Sequence, residues 1–145
     1  MEKLIISPYL IALVIAWFGA HVVKYIINYR KDNTHKFGAN LFTSGGMPSS
    51  HSTTVVALMT VIGLRDGLDS GLFGLAVLFA LIVMYDATKV RRSSGEQGIA
   101  IQKLIKEQKS NVKLPRAAQG HTPIEVVIGA LFGALIGVVV FLSTR

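Results

Sequence analysis

Apolar residues gather in four blocks along the chain, and the charged residues lie between these blocks. The blocks run from about Leu4 to Ile27, from Val55 to Leu64, from Gly71 to Tyr85 with a continuation to Val90, and from Val126 to Leu142. A helix that crosses a bilayer needs about 20 predominantly apolar residues, so the second block is short for a full span. The pattern predicts an all-α, polytopic membrane helix bundle with about four transmembrane helices, and residues 1–145 form one membrane-embedded domain in this interpretation.

Residues 93–120 form the longest polar segment, and they contain a second, weaker apolar pattern. Four apolar residues fall at helical spacing among three lysines: Ile99, Ala100, Leu104 and Ile105 among Lys103, Lys106 and Lys109. This pattern predicts a short amphipathic helix on the membrane surface.

The fourth block repeats glycine every four residues, at Gly129, Gly133 and Gly137. One face of that helix is therefore nearly bare backbone, which allows another helix to pack closely against it. The partner helix belongs either to the same bundle or to a second protomer, so the glycine face also predicts a possible homodimer.

Composition narrows the kinds of partner. The net charge of +7 could indicate nucleic acid, but 51% of the residues are hydrophobic and only 16% are charged. Membrane lipids and a phosphorylated substrate explain the positive charge better, and no nucleic-acid partner is expected. The chain has no cysteine, which excludes a disulfide, a thiolate nucleophile and a cysteine metal site.

Four spans would place the loops 28–50 and 90–120 on one side of the membrane. All but three of the 15 Lys and Arg residues then adjoin that side, the three being Lys3, Arg65 and Arg145. The positive-inside rule makes this side cytoplasmic, in a bacterial-type plasma membrane.

The stretch 45–52, Gly-Gly-Met-Pro-Ser-Ser-His-Ser, ends a polar loop and opens the second block. Pro48 suits the first turn of a helix, and Ser49 and Ser50 are good N-cap residues that leave free N–H groups nearby. A helix start of this kind binds anions, and His51 at its rim could exchange a proton near neutral pH. We interpret the stretch as a phosphate site; the alternative is a well-capped helix with an incidental histidine.

Charged residues at the ends of the first and third blocks are further candidates. Asp86 follows sixteen uncharged residues, 70–85, and an acid at membrane depth is either functional or paired with a base. An Asp86–Lys89 pair is the structural alternative. Arg91 and Arg92 could hold phosphate oxygens, while Lys24 is either a snorkelling residue or a phosphate ligand.

The fourth block begins with Gly-His-Thr-Pro-Ile-Glu at 120–125. Glu125 lies one helical turn after His121 and could orient and charge its imidazole, as a carboxylate does in a catalytic triad. The same stretch is also a capping box, with Thr122 at the N-cap and Glu125 at N3. Both interpretations stay open from the sequence.

The predicted topology brings the three motifs to one membrane face. Two histidines, two arginines, serine N–H donors and a carboxylate around one point suit phosphoryl transfer. One histidine would attack phosphorus, the other would protonate the leaving oxygen, and the arginines would hold the remaining oxygens.

These motifs resemble the type 2 phosphatidic acid phosphatase superfamily, and specifically its divergent branch, which is related to acid phosphatases and vanadium-dependent haloperoxidases. The branch is marked by Gly-Gly-Met-Pro-Ser-Ser-His, Asp-Ala…Val-Arg-Arg…Gly and Gly-His-Thr-Pro…Glu, which stand here at 45–51, 86–95 and 120–125. The resemblance implies His121 as nucleophile, Glu125 as its partner and His51 as general acid.

The chain departs from the wider superfamily in four respects. Ser50 replaces the glycine of Pro-Ser-Gly-His, and Glu125 replaces an aspartate. No Lys-x6-Arg-Pro motif precedes residue 48, where Lys24 with Arg30 is the nearest match. Arg116 precedes His121 by five residues instead of six, so it is a supporting candidate together with Asp86.

The sequence therefore predicts a membrane phosphatase that hydrolyses a lipid phosphate or lipid pyrophosphate through a phosphohistidine, without a cofactor. A non-catalytic membrane binder of anionic lipid or phosphate, acting as a scaffold or transport accessory, is the alternative. A metal site built from His51, Asp86, His121 and Glu125 is a third hypothesis, although their spacing does not support it.

Overall fold

A computed structural model of the chain describes residues 7–31, 46–115, 117 and 120–145. Every regular element of the described part is a helix, and the described part contains no strand. Its elements are α1 (Pro8–Lys31), α2 (Ser50–Asp66), α3 (Gly71–Tyr85), a π-helical turn (Asp86–Val90), α4 (Arg91–Glu107) and α5 (Pro123–Ser143). The predicted all-α class is confirmed.

Within the described residues, three helical segments are long and apolar enough to cross a membrane. They are residues Pro8–Arg30, Gly71–Glu107 and Pro123–Ser143. The fourth predicted span is α2, whose 17 residues extend about 25 Å. This length falls short of a hydrocarbon core of about 30 Å, in keeping with the short second block. The chain is a polytopic helical membrane protein in which α2 packs against α1, α3 and α5.

The glycine face of α5 packs against α2 of the same chain. A Cβ atom built on Gly129 would lie 2.7 Å from the carbonyl oxygen of Ser49, and one on Gly137 would lie 2.8 Å from that of Ala57. At Gly133 the Cβ would collide with the carbonyl of Thr53. The glycine face is thus occupied inside the bundle. A homodimer stays a prediction, but it would have to use another face.

Two polar contacts tie the helix ends together at the end of the bundle that carries the start of α1. The hydroxyl of Tyr9 lies 2.8 and 2.7 Å from the two carboxylate oxygens of Asp66, at the end of α2. Arg65 donates from Nη1 to the carbonyl oxygen of Thr144, just after α5, at 3.2 Å. The start of α1 and the ends of α2 and α5 therefore lie together.

Backbone hydrogen bonds join the opposite end of the bundle, where the motifs lie. The Ser49 N–H donates to the carbonyl of Glu125 at 3.2 Å, and the His121 N–H donates to the carbonyl of Ala87 at 2.9 Å. Motifs that are separated by up to seventy residues in sequence thus meet at one end, as the topology predicts.

A π-helical turn joins α3 directly to α4. The Arg91 N–H donates to the carbonyl of Asp86, five residues back, so the Ala87 carbonyl lacks its usual helical donor and accepts from His121 instead. The alternative of an Asp86–Lys89 pair is wrong, because the wider turn brings Arg91 beside Asp86 and Nε of Arg91 donates to that carboxylate. Such turns occur often at functional sites.

The amphipathic helix predicted in the polar segment is confirmed, but it is neither short nor separate. It begins at Arg91, continues α3 through the π turn and ends at Glu107. Lys109 lies beyond its end, at a φ of 48°. The position of this helix on the membrane surface stays a prediction.

Candidate functional site

His121 and Glu125 form a bonded pair at the start of α5. Nδ1 of His121 lies 2.9 Å from Oε2 of Glu125, and the imidazole is buried, with 4% of the residue exposed. The same Oε2 atom accepts the Thr122 N–H at 3.2 Å, while Thr122 Oγ1 accepts the Glu125 N–H at 3.4 Å. One carboxylate therefore completes the capping box and also contacts the histidine, so the geometry is compatible with both interpretations of Glu125.

This pairing determines which ring nitrogen of His121 is available. An ionised Glu125 accepts a hydrogen bond from Nδ1–H, and the neutral imidazole then carries its lone pair on Nε2. The backbone on either side of the ring is also held. His121 N–H is bonded to Ala87, and Gly120 packs so closely against the backbone of Arg92 that no side chain fits there.

The start of α2 differs from the sequence prediction in one respect. Ser49 is the N-cap, as expected, with Oγ accepting from the Ser52 N–H at 3.4 Å. Pro48 precedes this cap and is not in the first helical turn; the Met47–Pro48 peptide bond is cis. The N-cap residue Ser49 itself has β-region dihedral angles.

Ser49 and Ser50 occupy different positions relative to a phosphate. Ser49 is fully buried, and its N–H is bonded to the carbonyl of Glu125, so it joins α2 to α5 behind the candidate site. Ser50 and His51 stand in the first turn of α2, where N–H groups precede the first intrahelical bond. The N–H donors for an anion are therefore those of Ser50 and His51.

His51 stands beside His121. The ring centroids are 6.4 Å apart and the ring planes are inclined by 64°. The imidazole of His51 is exposed, and it lies within electrostatic range of Arg91, Lys24 and Asp86. One histidine is thus buried and oriented by a carboxylate, while the other can reach solvent.

The two arginines each hold an acid on their own helix through Nε. Arg91 pairs with Asp86, and Arg92 pairs with Glu96 at 3.1 Å. About half of each arginine side chain is exposed, at 50% and 52%. Because only Nε is bonded in these pairs, the Nη groups of both guanidinium groups are available to an anion.

Lys24 is the buried cation of the site. It is only 4% exposed, near the end of α1, and its aliphatic stem lies next to Gly46. Glu125 attracts its ammonium group electrostatically. Lys24 is therefore not a snorkelling residue at the surface of the bundle, because its side chain turns inward toward the His121–Glu125 pair.

A pocket of about 280 Å³ opens beside this pair. Its walls come from α4, from the start of α5 and from the loop before α2: Gly46, Arg92, Gly95, Glu96, Ile99, Gly120, His121, Thr122 and Glu125. His51 and Arg91 stand outside its lining. Glu96 and Ile99 were not among the predicted site residues. The four-residue spacing of Arg92 and Glu96 is the sequence signal that would have indicated the first of them.

Two candidates lie outside the described residues, namely Gly45 and Arg116. Across the described residues, no three His, Asp or Glu side chains form a group that could hold a metal ion. The hypothesis of a metal site at His51, Asp86, His121 and Glu125 therefore has no support in the geometry.

Comparison with known proteins gives one family and one relative. The profile of the Divergent PAP2 family matches residues 6–136. An uncharacterized membrane protein of Bacillus subtilis (strain 168), YuiD, is 42% identical over 155 aligned residues, which cover 96% of each chain. No solved structure matches. The relative agrees with an integral membrane protein, and the profile match shows that the chain belongs to the Divergent PAP2 family.

Proposed function

We propose that the chain hydrolyses a lipid phosphate or lipid pyrophosphate through a phosphohistidine on His121. The observation that carries this proposal is the 2.9 Å contact between His121 Nδ1 and Glu125, at the edge of a pocket and beside a second histidine. A buried imidazole whose Nδ1 is fixed presents Nε2 as a nucleophile. A purely structural histidine would also need a hydrogen-bond partner, but it would not need to line a pocket.

The reaction proceeds in two balanced steps. Nε2 of His121 attacks phosphorus, the P–O bond to the lipid breaks, and His51 gives its proton to the leaving oxygen. Water then attacks the phosphohistidine, its proton passes to His51, and the N–P bond breaks to release inorganic phosphate. Glu125 stabilises the positive charge that His121 develops while the N–P bond exists.

Positive groups on three elements surround the place where charge builds up. Lys24 comes from α1, the first-turn N–H groups come from α2, and Arg91 and Arg92 follow the π turn. Fixed donors of this kind stabilise the equatorial oxygens of a transferring phosphoryl group. Ser49 and Asp86 support these groups and do not bind the phosphate themselves. Ser49 joins α2 to α5, and Asp86 holds Arg91 in place.

A lipid substrate fits the position of the site in the bundle. The site lies at one end of helices that are long enough to span a bilayer. If these helices cross the membrane, we expect that end to lie near the lipid phosphates. The surplus of Lys and Arg on this side favours the cytoplasmic face of a bacterial-type plasma membrane.

The proposal is tested by assaying the purified protein for phosphate release. The substrates are phosphatidic acid, phosphatidylglycerophosphate and a polyprenyl pyrophosphate, each with and without EDTA. We expect release from at least one lipid and no effect of EDTA, because every step uses groups of the chain and water. If no lipid phosphate is cleaved but these lipids still bind, the non-catalytic binder becomes the better interpretation.

Replacing Glu125 with glutamine should separate its two roles. The amide oxygen of glutamine can still accept the Thr122 N–H, so the capping box and the melting temperature in detergent should be retained. The negative charge beside His121 is lost, and the rate of phosphate release should fall by up to about 10⁴-fold.

Glu125→Ala is the matched control, because it removes both roles and should lower the melting temperature as well. A Glu125→Gln variant that is as active as the parent would leave Glu125 with a capping role alone.

A further inference from the structure

Glu96 is an acid on the wall of the pocket that the hydrolysis proposed above does not use. It lies on α4, one turn after Arg92, and 67% of its side chain is exposed. Its Oε1 atom accepts a hydrogen bond from Nε of Arg92 at 3.1 Å. An acid beside a phosphate site repels part of what such a site could bind, so its presence there bears on the choice of substrate.

The stability of the helix does not explain Glu96. Acids favour the first turn of a helix, but α4 continues α3 through the π turn, so Glu96 stands inside one helical segment, Gly71–Glu107. An i,i+4 ion pair stabilises a helix more when the acid precedes the base, and here Arg92 precedes Glu96. The position of this acid is better explained by what the pocket binds.

The cations that the proposed mechanism assigns to the phosphoryl group each have an acid beside them. The pairs are Arg91 with Asp86, Arg92 with Glu96, and Lys24 with Glu125. A phosphate monoester carries a charge of about −1.5 to −2 at pH 7. A pyrophosphate monoester carries more negative charge, and its second phosphate group would need further positive groups.

The wall that α4 gives to the pocket offers no such group. α4 and the start of α5 meet where Gly120 packs against the backbone of Arg92, and both residues line the pocket. Beyond Arg92 the same wall consists of Gly95, Glu96 and Ile99, which supply bare backbone, a carboxylate and an aliphatic side chain. An uncharged ester or an apolar chain fits against this wall. A second phosphate group would meet the carboxylate.

We propose that Glu96 makes the site select a lipid monophosphate over a lipid pyrophosphate. The Nη groups of Arg92 bind the phosphoryl group beside His121, while Glu96 holds Nε of Arg92 and repels further negative charge on the substrate. The inference rests on the proposed function, because it takes the anion beside His121 to be the phosphoryl group that is transferred. It narrows that function to one class of lipid.

The first test compares two substrates that differ by one phosphate group, farnesyl phosphate and farnesyl pyrophosphate. The parent should have the higher kcat/KM for the monophosphate. Glu96→Gln removes the charge and keeps an oxygen that accepts from Arg92. It should raise the ratio of kcat/KM for the pyrophosphate over that for the monophosphate about fivefold, the lower end of what one nearby charge contributes at an exposed position.

Glu107→Gln is the matched control for this comparison. Glu107 pairs with Lys103 on the same helix at the same i,i+4 spacing, but it does not line the pocket. The control removes the same charge from α4 and should leave the ratio as in the parent. Because Glu96 and Glu107 are both exposed, neither substitution should affect folding.

The second test measures binding without hydrolysis, by calorimetry on purified protein in detergent. Inorganic phosphate should bind the parent and Glu107→Gln more tightly than inorganic pyrophosphate does. Glu96→Gln should narrow or reverse this difference. If neither farnesyl substrate is cleaved but binding follows this order, the proposed hydrolysis fails and the selectivity of the site stands.

Three results would overturn the selectivity and leave the hydrolysis untouched. The first is a ratio of kcat/KM that Glu96→Gln does not change. The second is an equal loss of activity on both substrates in that variant, because Glu96 would then only position Arg92. The third is a parent protein that binds pyrophosphate as tightly as phosphate, or binds neither anion.

Discussion

Alanine in place of His121 should reduce phosphate release from a cleavable lipid to the background rate. Among the described residues that line the pocket, His121 is the one buried side chain whose ring nitrogen is oriented by a carboxylate, and the chain has no cysteine that could act in its place. Stability should change less than activity, because Thr122 and Glu125 keep the capping box that begins α5. Release of phosphate is measured on purified protein beside its melting temperature.

His51→Ala is the matched variant for the mechanism. With an alkyl leaving group, loss of the general acid should lower the rate by about 10²–10⁴-fold. With a nitrophenyl leaving group, which needs little protonation, the loss should be much smaller. A His121→Ala protein that turns over as fast as the parent would sink the phosphohistidine mechanism, even if the protein proves to be a phosphatase.

Adding a single methyl group at Gly133 should destabilise the bundle more than any comparable change on a surface helix. The new Cβ would collide with the backbone carbonyl of Thr53, which cannot move without shifting the whole of α2. Overpacking a well-packed core costs about 1–3 kcal/mol, and a clash between two backbones lies at or above the upper end of that range. Gly133→Ala should therefore lower the melting temperature in detergent markedly, and Gly133→Leu should prevent recovery of folded protein.

The control for this experiment is Gly74→Ala, in the exposed helix α3. A Cβ at Gly74 meets nothing within 4 Å, and alanine favours a helix by about 1 kcal/mol over glycine. The melting temperature of this variant should stay equal or rise. If Gly133→Ala melts with the parent, the close approach of α5 and α2 is not what holds the bundle.

The sequence predicts a helix well where its hydrophobic pattern or its capping residues determine where the helix begins and ends. The third block coincides with α3 at both bounds, and the capping box at Thr122 and Glu125 is present as predicted. The glycine spacing also indicates a close helix contact, and the structure supplies its partner, α2. Each of these features depends on a local pattern that a single segment can reveal.

The features that the sequence does not reveal are those decided by contacts between segments. The pattern of apolar residues does not change when one helical turn contains an extra residue. The sequence therefore does not indicate the π turn or the Asp86–Arg91 pair. The sequence predicts that Ser49 is an N-cap and an N–H donor for an anion. In the structure its N–H donates to the carbonyl of Glu125, which lies 76 residues later in the chain. The inward turn of Lys24 depends in the same way on what packs beside it.

Because of the π turn, the orientation of α4 relative to α3 depends on the exact number of residues between them. Its one additional residue turns α4 by about 100° relative to the course that α3 would set in an unbroken α-helix. Removing any one residue from Asp86–Val90 would return the Ala87 carbonyl to the helix and leave the His121 N–H without its acceptor. The same deletion would turn Arg92 away from the pocket that it lines. In this segment an insertion or deletion is therefore far more damaging than a substitution. An alignment of related chains should place no gap within Asp86–Val90.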